Sequence, residues 1–286
     1  MKSMIMGMLA ETSIHPGVGQ SAGFVDLPVA REKVTNYPVI VGSSLKGSLL
    51  DRAREEYGTR VMTDEEEEKI ELPPEIERIF GKQNSAGEVM ISDARLLLLP
   101  VRCLTGQYRW ITCPYLLERF MRDITLAGLR TQPIPKVVGP KKGEAWCEDS
   151  GRIFLEEREF LVTDKVTSKI SEHLEHIKKL VYHGPVKDRV NRQLVLLHED
   201  DFKWFASFGL PVTARNNLDE ITKFSEHLWY EETLPQDTVM YTLLIERMDG
   251  SIAKVRKLLK VRPYLQVGGN ETVGHGWFAL VLWNGE

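Results

Sequence analysis

Val239-Met-Tyr-Thr-Leu-Leu-Ile-Glu-Arg247, a helical apolar stripe from about Ile252 to Leu259, and Trp277-Phe-Ala-Leu-Val-Leu-Trp283 set out a strand, a helix and a second strand. The two outer runs are rich in β-branched and aromatic residues, which suit a pleated, packed surface. The chain opens in the same way. Residues 2 to 14 hold apolar positions suited to a strand, and a helix is expected from about Ser44, carrying Leu45, Leu49, Leu50, Ala53 and Tyr57 on one face and stopping at Gly58. Between these units, Gly87 to Leu99 reads as one long buried strand and Pro114 to Ile124 as a helix with proline at its first position. Residues 130 to 150 are rich in Pro, Gly and Lys and read as loop, and a further helix is expected from Thr163 or Asp164 through Lys179. Strands interleaved with helices, without an internal repeat, predict an α+β fold of ferredoxin-like type.

At 286 residues and 42% hydrophobic, the chain can bury a sizeable core. No apolar run reaches membrane-spanning length, and Met1-Lys-Ser-Met-Ile-Met-Gly-Met8 lacks the features of an export signal, so a cytoplasmic protein is expected. Cys103, Cys113 and Cys147 are odd in number and show no Cys-x-x-Cys spacing, which argues against a disulfide framework or a structural zinc site. A formal charge of -4 excludes coating of nucleic acid by general basicity. Any RNA contact must be a local stripe, and Arg31, Lys33, Lys46, Arg52 and Arg54 supply one. The acid gathers in Asp64 to Glu68, read as a solvated helix start, and in Glu156, Glu157 and Glu159.

The chemistry points to His15-Pro-Gly-Val-Gly-Gln-Ser-Ala-Gly-Phe-Val-Asp26-Leu-Pro28, closed by Arg31-Glu-Lys33. Glycine and proline forbid a regular element here, so one histidine and one carboxylate ride on a mobile loop. Gly42-Ser-Ser-Leu-Lys46-Gly47 follows at a helix start. Free N–H groups, the positive end of the macrodipole, Ser43 or Ser44, and Lys46 suit a phosphate there; a serine cap with a solvated lysine fits the same residues. Val267 to Trp277 carries glycines at 268, 269, 274 and 276, which let backbone amides approach an anion or another chain; a tight connection also fits. His173 and His176 have no third ligand nearby and read as two surface histidines, and the basic segment Lys136 to Lys142 reads as a solvated loop.

His15-Pro-Gly with Asp26-Leu-Pro, Gly42-Ser-Ser-Leu-Lys-Gly47, Phe80-Gly81, Ile91-Ser-Asp-Ala94, Pro100-Val-Arg102, Trp110-Ile-Thr-Cys-Pro114, Leu228-Trp-Tyr-Glu-Glu232 and the terminal glycine loop occur in an order that resembles the RAMP superfamily of CRISPR-associated proteins. More narrowly, they resemble the repeated backbone subunit of type III-B (Cmr) effector complexes. The resemblance implies a single domain over 1–286. Its modified ferredoxin-like, RNA-recognition-like palm would carry an inserted loop and helical region at 130–200 and a thumb β-hairpin at 211–235, with Leu218 or Ile221 as a wedge between bases. It also implies copies stacked head to tail along a CRISPR guide RNA, pairing of that guide with a target single-stranded RNA, and other Cmr subunits as partners. Arg31, Lys33, Ser43, Ser44, Lys46, Arg215, Gly274, His275 and Gly276 are the RNA-binding candidates.

By the same resemblance, target RNA is cut at regular intervals by an endoribonuclease site centred on Asp26. That carboxylate would hold a divalent ion, Mg²⁺ or Mn²⁺, which usually keeps several waters and takes one or two carboxylates. His15 is a candidate for proton transfer, and Tyr230, Glu231 and Glu232 are weaker candidates. Two other readings stay open at this point: a non-catalytic RNA-coating scaffold, and a guide-processing endoribonuclease of the same superfamily that acts without metal.

Overall fold

The computed structural model describes residues 2–19, 23–62, 68–82 and 85–285. Among these, twelve strands join one mixed sheet. Its central part is made of Ala94–Arg102, Val239–Glu246, Ser3–Ala10 and Trp277–Trp283, side by side in that order and each antiparallel to its neighbour. With helix Gly42–Tyr57 after the first strand in the chain and helix Ser251–Val261 before the last, this is the split β-α-β-β-α-β arrangement expected from the sequence. Segment 130–200 does more than fill a loop. Strands Glu144–Trp146, Arg152–Leu155, Arg158–Asp164 and Leu194–Leu197 extend the sheet beyond Tyr108–Thr112, and Leu194–Leu197 lies parallel to it.

The first strand shows why the sheet lies in the middle of the molecule. Ser3–Ala10 is buried along nearly its whole length, as befits a strand covered on both faces. Met4, Met6 and Met8 join a cluster with Leu45, Leu49 and Ala53 of the first helix and Ile252 and Val255 of the last. Ile5 and Leu9 face the other way, toward Leu117, Phe120 and Ile124 of helix Pro114–Leu126 and Leu174 and Ile177 of helix Ser171–Lys178. Neither face is left for bases to stack on, so an RNA must be held by loops and edges.

Gly7 marks the tightest approach on the second face: a Cβ there would sit 2.3 Å from the carbonyl oxygen of Leu180. Because that atom belongs to backbone, Gly7→Ala forces the Leu180 turn outward and should cost about 1–3 kcal/mol, read from denaturant unfolding. A midpoint equal to the parent's would mean that the turn yields freely.

Several elements depart from the sequence reading, each for a local reason. The run from Gly87 is broken into Val89–Ile91 and Ala94–Arg102, because Ser92 bonds across to Thr242 and Leu243 while the Asp93 carboxylate accepts the Gly42 N–H at 2.7 Å. That bond fixes the helix start at Gly42, with Val41 as its cap and no serine side chain capping it. The helix expected from Thr163 or Asp164 through Lys179 is present but starts later and is broken: Thr163 and Asp164 still belong to strand Arg158–Asp164, and the helical span divides at Ile170 into Val166–Lys169 and Ser171–Lys178. Of the acidic run, residues 64 to 67 lie outside the described residues, and Glu68 begins strand Glu68–Glu71 paired with Thr59–Met62.

His173 and His176 are not surface histidines. His173 is buried, and the His176 ring meets Trp283 edge-on at 5.4 Å. Burial pushes the His173 imidazole down to about 4, with Glu172 opposing and His176 and Arg130 adding to the shift, and burial with Lys179 also lowers His176. Since the unfolded chain takes these protons more readily, the stabilisation is whole above about pH 6.5 and is lost as the pH falls toward 4. Lowering the pH from 7 to 5 should remove about 1–2 kcal/mol through His173. Urea unfolding of His173→Gln should show a flatter pH dependence; an unchanged slope would refute the assignment.

Candidate RNA-cleavage site

Three segments distant in sequence meet beyond the Ala10 end of the first strand: the His15–Arg31 loop, the base of a hairpin, and the glycine loop before the last strand. The hairpin is Val212–Leu218 paired antiparallel with Ser225–Glu232, so Val212 lies opposite Glu232. Its base is stitched to the loop by backbone bonds from Leu27 N–H to the Tyr230 carbonyl and from Glu232 N–H to the Leu27 carbonyl. The glycine loop closes from the other side, where Gly269 N–H donates to the His15 carbonyl and Gly276 N–H to the Ser13 carbonyl. Gly276 adopts φ 92°, and a Cβ there would lie 2.6 Å from the Val267 carbonyl oxygen, so only glycine fits; Gly274, at φ 82°, faces open space.

Asp26 is half-buried, and its Oδ2 accepts the Tyr230 backbone N–H at 2.8 Å. The carboxylate is thus anchored by one oxygen at the hairpin base. The Tyr230 side chain itself is 45% exposed. His15 is buried, and its Nδ1 donates to the Glu232 carbonyl at 2.8 Å, 3.4 Å from Glu231 Oε1. A carbonyl oxygen only accepts, so Nδ1 carries the proton and Nε2 has its lone pair free in the neutral ring. A Cβ at Gly17 would come within 2.7 Å of that Nε2.

Glu231 and Glu232 are adjacent in a strand, yet both are buried. Glu231 accepts from Asn270 Nδ2 and forms an ion pair with Arg215 Nε at 2.6 Å, in which Oε2 takes no hydrogen bond. Glu232 accepts the Val29 N–H at 3.0 Å and Arg31 Nη2 at 2.7 Å. These carboxylates tie the three segments together. Arg31 also donates to the carbonyls of Asn36 and Ala206, and Arg215 Nη2 lies 3.4 Å from both ring nitrogens of His275, within reach of whichever one bears the lone pair.

The remaining RNA-binding candidates lie elsewhere. Lys33, Ser43 and Ser44 are exposed, and Lys46, half-buried, lines a cleft with Ser43, Asp93 and Arg247 beside the first helix. Asp93 already occupies the Gly42 amide, so a phosphate at this start would rely on Ser43, Lys46 and Arg247. Sequence reading missed Asp93 and Asn270. Asn270 had one available sign: it sits at φ 64° in a glycine-rich loop, a conformation asparagine tolerates better than most residues.

Among the described residues, no group of three or more His, Cys, Asp or Glu side chains is arranged to enclose a metal ion. With one Asp26 oxygen anchored and both glutamates in ion pairs, the protein alone does not form a cage. Asp26 fits a hydrated Mg²⁺ only as a single carboxylate, with waters and RNA phosphates completing the shell.

The chain matches the RAMP superfamily over residues 8–279. It is similar to the CRISPR system Cmr endoribonuclease Cmr4 of Pyrococcus furiosus, with 31% identity over 296 residues, 99% of this chain and 96% of the relative. The crystal structure of oligomeric Cmr4 from Pyrococcus furiosus superposes with a TM-score of 0.72 at 28% identity, covering 99% of this chain and 98% of that one. A chain in the cryo-EM structure of the type III-B Cmr-beta complex bound to cognate target RNA shares the fold, with a TM-score of 0.76 at 20% identity and 99% and 97% coverage.

Proposed function

Because the chain belongs to the RAMP superfamily, we propose that it is the guide-RNA-binding backbone subunit of a type III-B (Cmr) effector complex and cuts guide-paired target RNA at regular intervals. The observation that carries this reading is the anchoring of Asp26 against the hairpin base, where the loop, the hairpin and the glycine loop converge. A relative that is 31% identical along nearly its whole length and named an endoribonuclease supports RNA cleavage. The likeness to oligomeric Cmr4 from Pyrococcus furiosus supports stacking of copies. A head-to-tail contact that does not close yields an open filament without further symmetry. No helix among the described residues is long and apolar enough to cross a membrane.

In the proposed reaction the 2′-oxygen of one target nucleotide attacks its own 3′-phosphorus as its proton leaves. The P–O5′ bond breaks, the departing oxygen takes up a proton, and the products carry a 2′,3′-cyclic phosphate and a 5′-hydroxyl. The protein's task is to set the attacking oxygen in line with the leaving oxygen. The hairpin serves that task by displacing a nucleotide, with exposed Leu218 and Ile221 available as wedges. Asp26 carries the charge at the cleavage position, and its anchored Oδ2 fixes where Oδ1 points. A bound Mg²⁺ would supply positive charge to the phosphoryl oxygens.

Chelating divalent ions in the reconstituted complex should abolish cleavage while guide and target stay bound, and added Mg²⁺ or Mn²⁺ should restore it. Cleavage at the full rate in excess chelator would contradict the metal requirement and favour a metal-free mechanism.

A further inference from the structure

Arg119, on helix Pro114–Leu126, is 6% exposed, and its Nη1 donates to Glu32 Oε1 at 2.6 Å. Its Nε and Nη2, the side-on edge of the guanidinium fork, have no hydrogen-bond acceptor among the described residues although both are buried. A buried donor without an acceptor costs about 1–3 kcal/mol, and two parallel N–H groups match a phosphate or carboxylate bidentately. Arg119 lines an open cleft of about 650 Å³ with Lys33, Arg95 and Arg122.

The carboxylates on the cleft wall are already engaged. Glu32 accepts from Arg119 and from Thr35 Oγ1, Asp123 from Arg95 at 2.5 Å and the Tyr241 hydroxyl at 2.7 Å, and Asp93 from the Gly42 N–H. What remains unmatched is the Arg119 edge inside; exposed Lys33 lies beside it, as does half-exposed Arg122, which shares its charge with Glu118 one turn back at 3.5 Å. Asp93 is also a wall of the cleft that holds Ser43, Lys46 and Arg247, so the two clefts adjoin. A strand held along the first helix start is thereby led to Arg119.

Building on the RNA-binding function above, we propose that this cleft receives one phosphate of the bound RNA strand on the Nε–Nη2 edge of Arg119, with Lys33 and Arg122 flanking it. Lysine at 119 keeps the charge but loses the planar fork, whereas glutamine at 122 removes a charge from a half-exposed position whose ion pair with Glu118 is a surface pair worth little to the fold.

The test is an anisotropy titration of labelled single-stranded RNA with the full-length chain over a series of salt concentrations. Thermal unfolding checks each variant, and a poly-glutamate peptide serves as a second probe. Arg122→Gln should weaken RNA binding about threefold or more and make the salt slope shallower by about 0.7, the share of one phosphate contact on a single strand. Arg119→Lys should lower affinity about tenfold with little change of slope, because charge is kept while bidentate geometry is lost. If Arg119→Lys fails to fold, Arg122→Gln decides alone. Parent affinity and slope in Arg122→Gln would overturn the proposal, as would variants that lose poly-glutamate binding but keep RNA binding. Failure of the parent chain to bind RNA would instead contradict the function itself.

Discussion

Replacing Asp26 by asparagine should lower target cleavage by about 10²- to 10⁴-fold, the range for loss of a positioned charged or acid–base group, and leave guide and target binding intact. Asparagine is nearly isosteric, and its amide oxygen can still accept the Tyr230 N–H now taken by Oδ2 at 2.8 Å. The loop therefore stays on the hairpin base, and the change isolates charge from position. No other carboxylate lies between His15 and Arg31 to substitute for it. Cleavage kinetics on guide-paired target, with binding measured separately, check the prediction. An Asp26→Asn complex that cuts at the original positions and rate would remove Asp26 from the chemistry and leave the scaffold reading as the better one.

The second large effect is expected at Glu231. This carboxylate is 1% exposed and has Arg215, Asn270 and the His15 ring against it. Glu231→Ala takes the counter-charge from Arg215, whose side chain is 23% exposed, and the acceptor from Asn270 Nδ2, and should destabilise the protein by about 1–3 kcal/mol, the cost of leaving partly buried donors unmatched. Glu231→Gln should cost less, since it can still accept from Asn270. Because Glu231 joins the hairpin, the His15 loop and the glycine loop, protection of the Tyr230 and Glu232 amides against hydrogen exchange should fall with it. Glu231→Ala with parent stability and parent amide protection would show that the backbone bonds alone hold the site together.

Much of the fold is legible in the residues because apolar pattern and punctuation agree. Trp277–Trp283 has the bounds read from its aromatic and branched residues, and helix Pro114–Leu126 begins at the proline that marks it. The failures are tertiary. Nothing near Ser92 and Asp93 signals a strand break, because the break is made by Thr242, Leu243 and Gly42, far away in the chain. His173 and His176 look solvated beside Glu172, Glu175 and Lys178, yet helix Ser171–Lys178 turns them toward the core and Trp283.

The site was legible by residue type and less so by role. Glycine-rich segments with a lone Asp and a lone His announce function, and the structure does bring the His15 loop, the hairpin and the glycine loop together. Whether a carboxylate faces solvent or a partner depends on the fold: Asp26 keeps one oxygen beyond its anchor, while Glu231 and Glu232 hold Arg215 and Arg31. Spacing along the chain carries no record of that distinction. Arg119 shows the same limit, since within its helix it reads as one more basic residue.

The central claim is that each copy of this chain covers one interval of guide RNA and places one Asp26 at the target. The most direct measurement reconstitutes the complex on guides of increasing length, counts bound copies by native mass spectrometry, and maps cuts on an end-labelled target at single-nucleotide resolution. Evenly spaced cuts whose number rises with each added copy are expected, and a mixed assembly containing Asp26→Asn copies should lose individual cuts without shifting the others. A single cut whose position and number ignore the copies bound would contradict the claim.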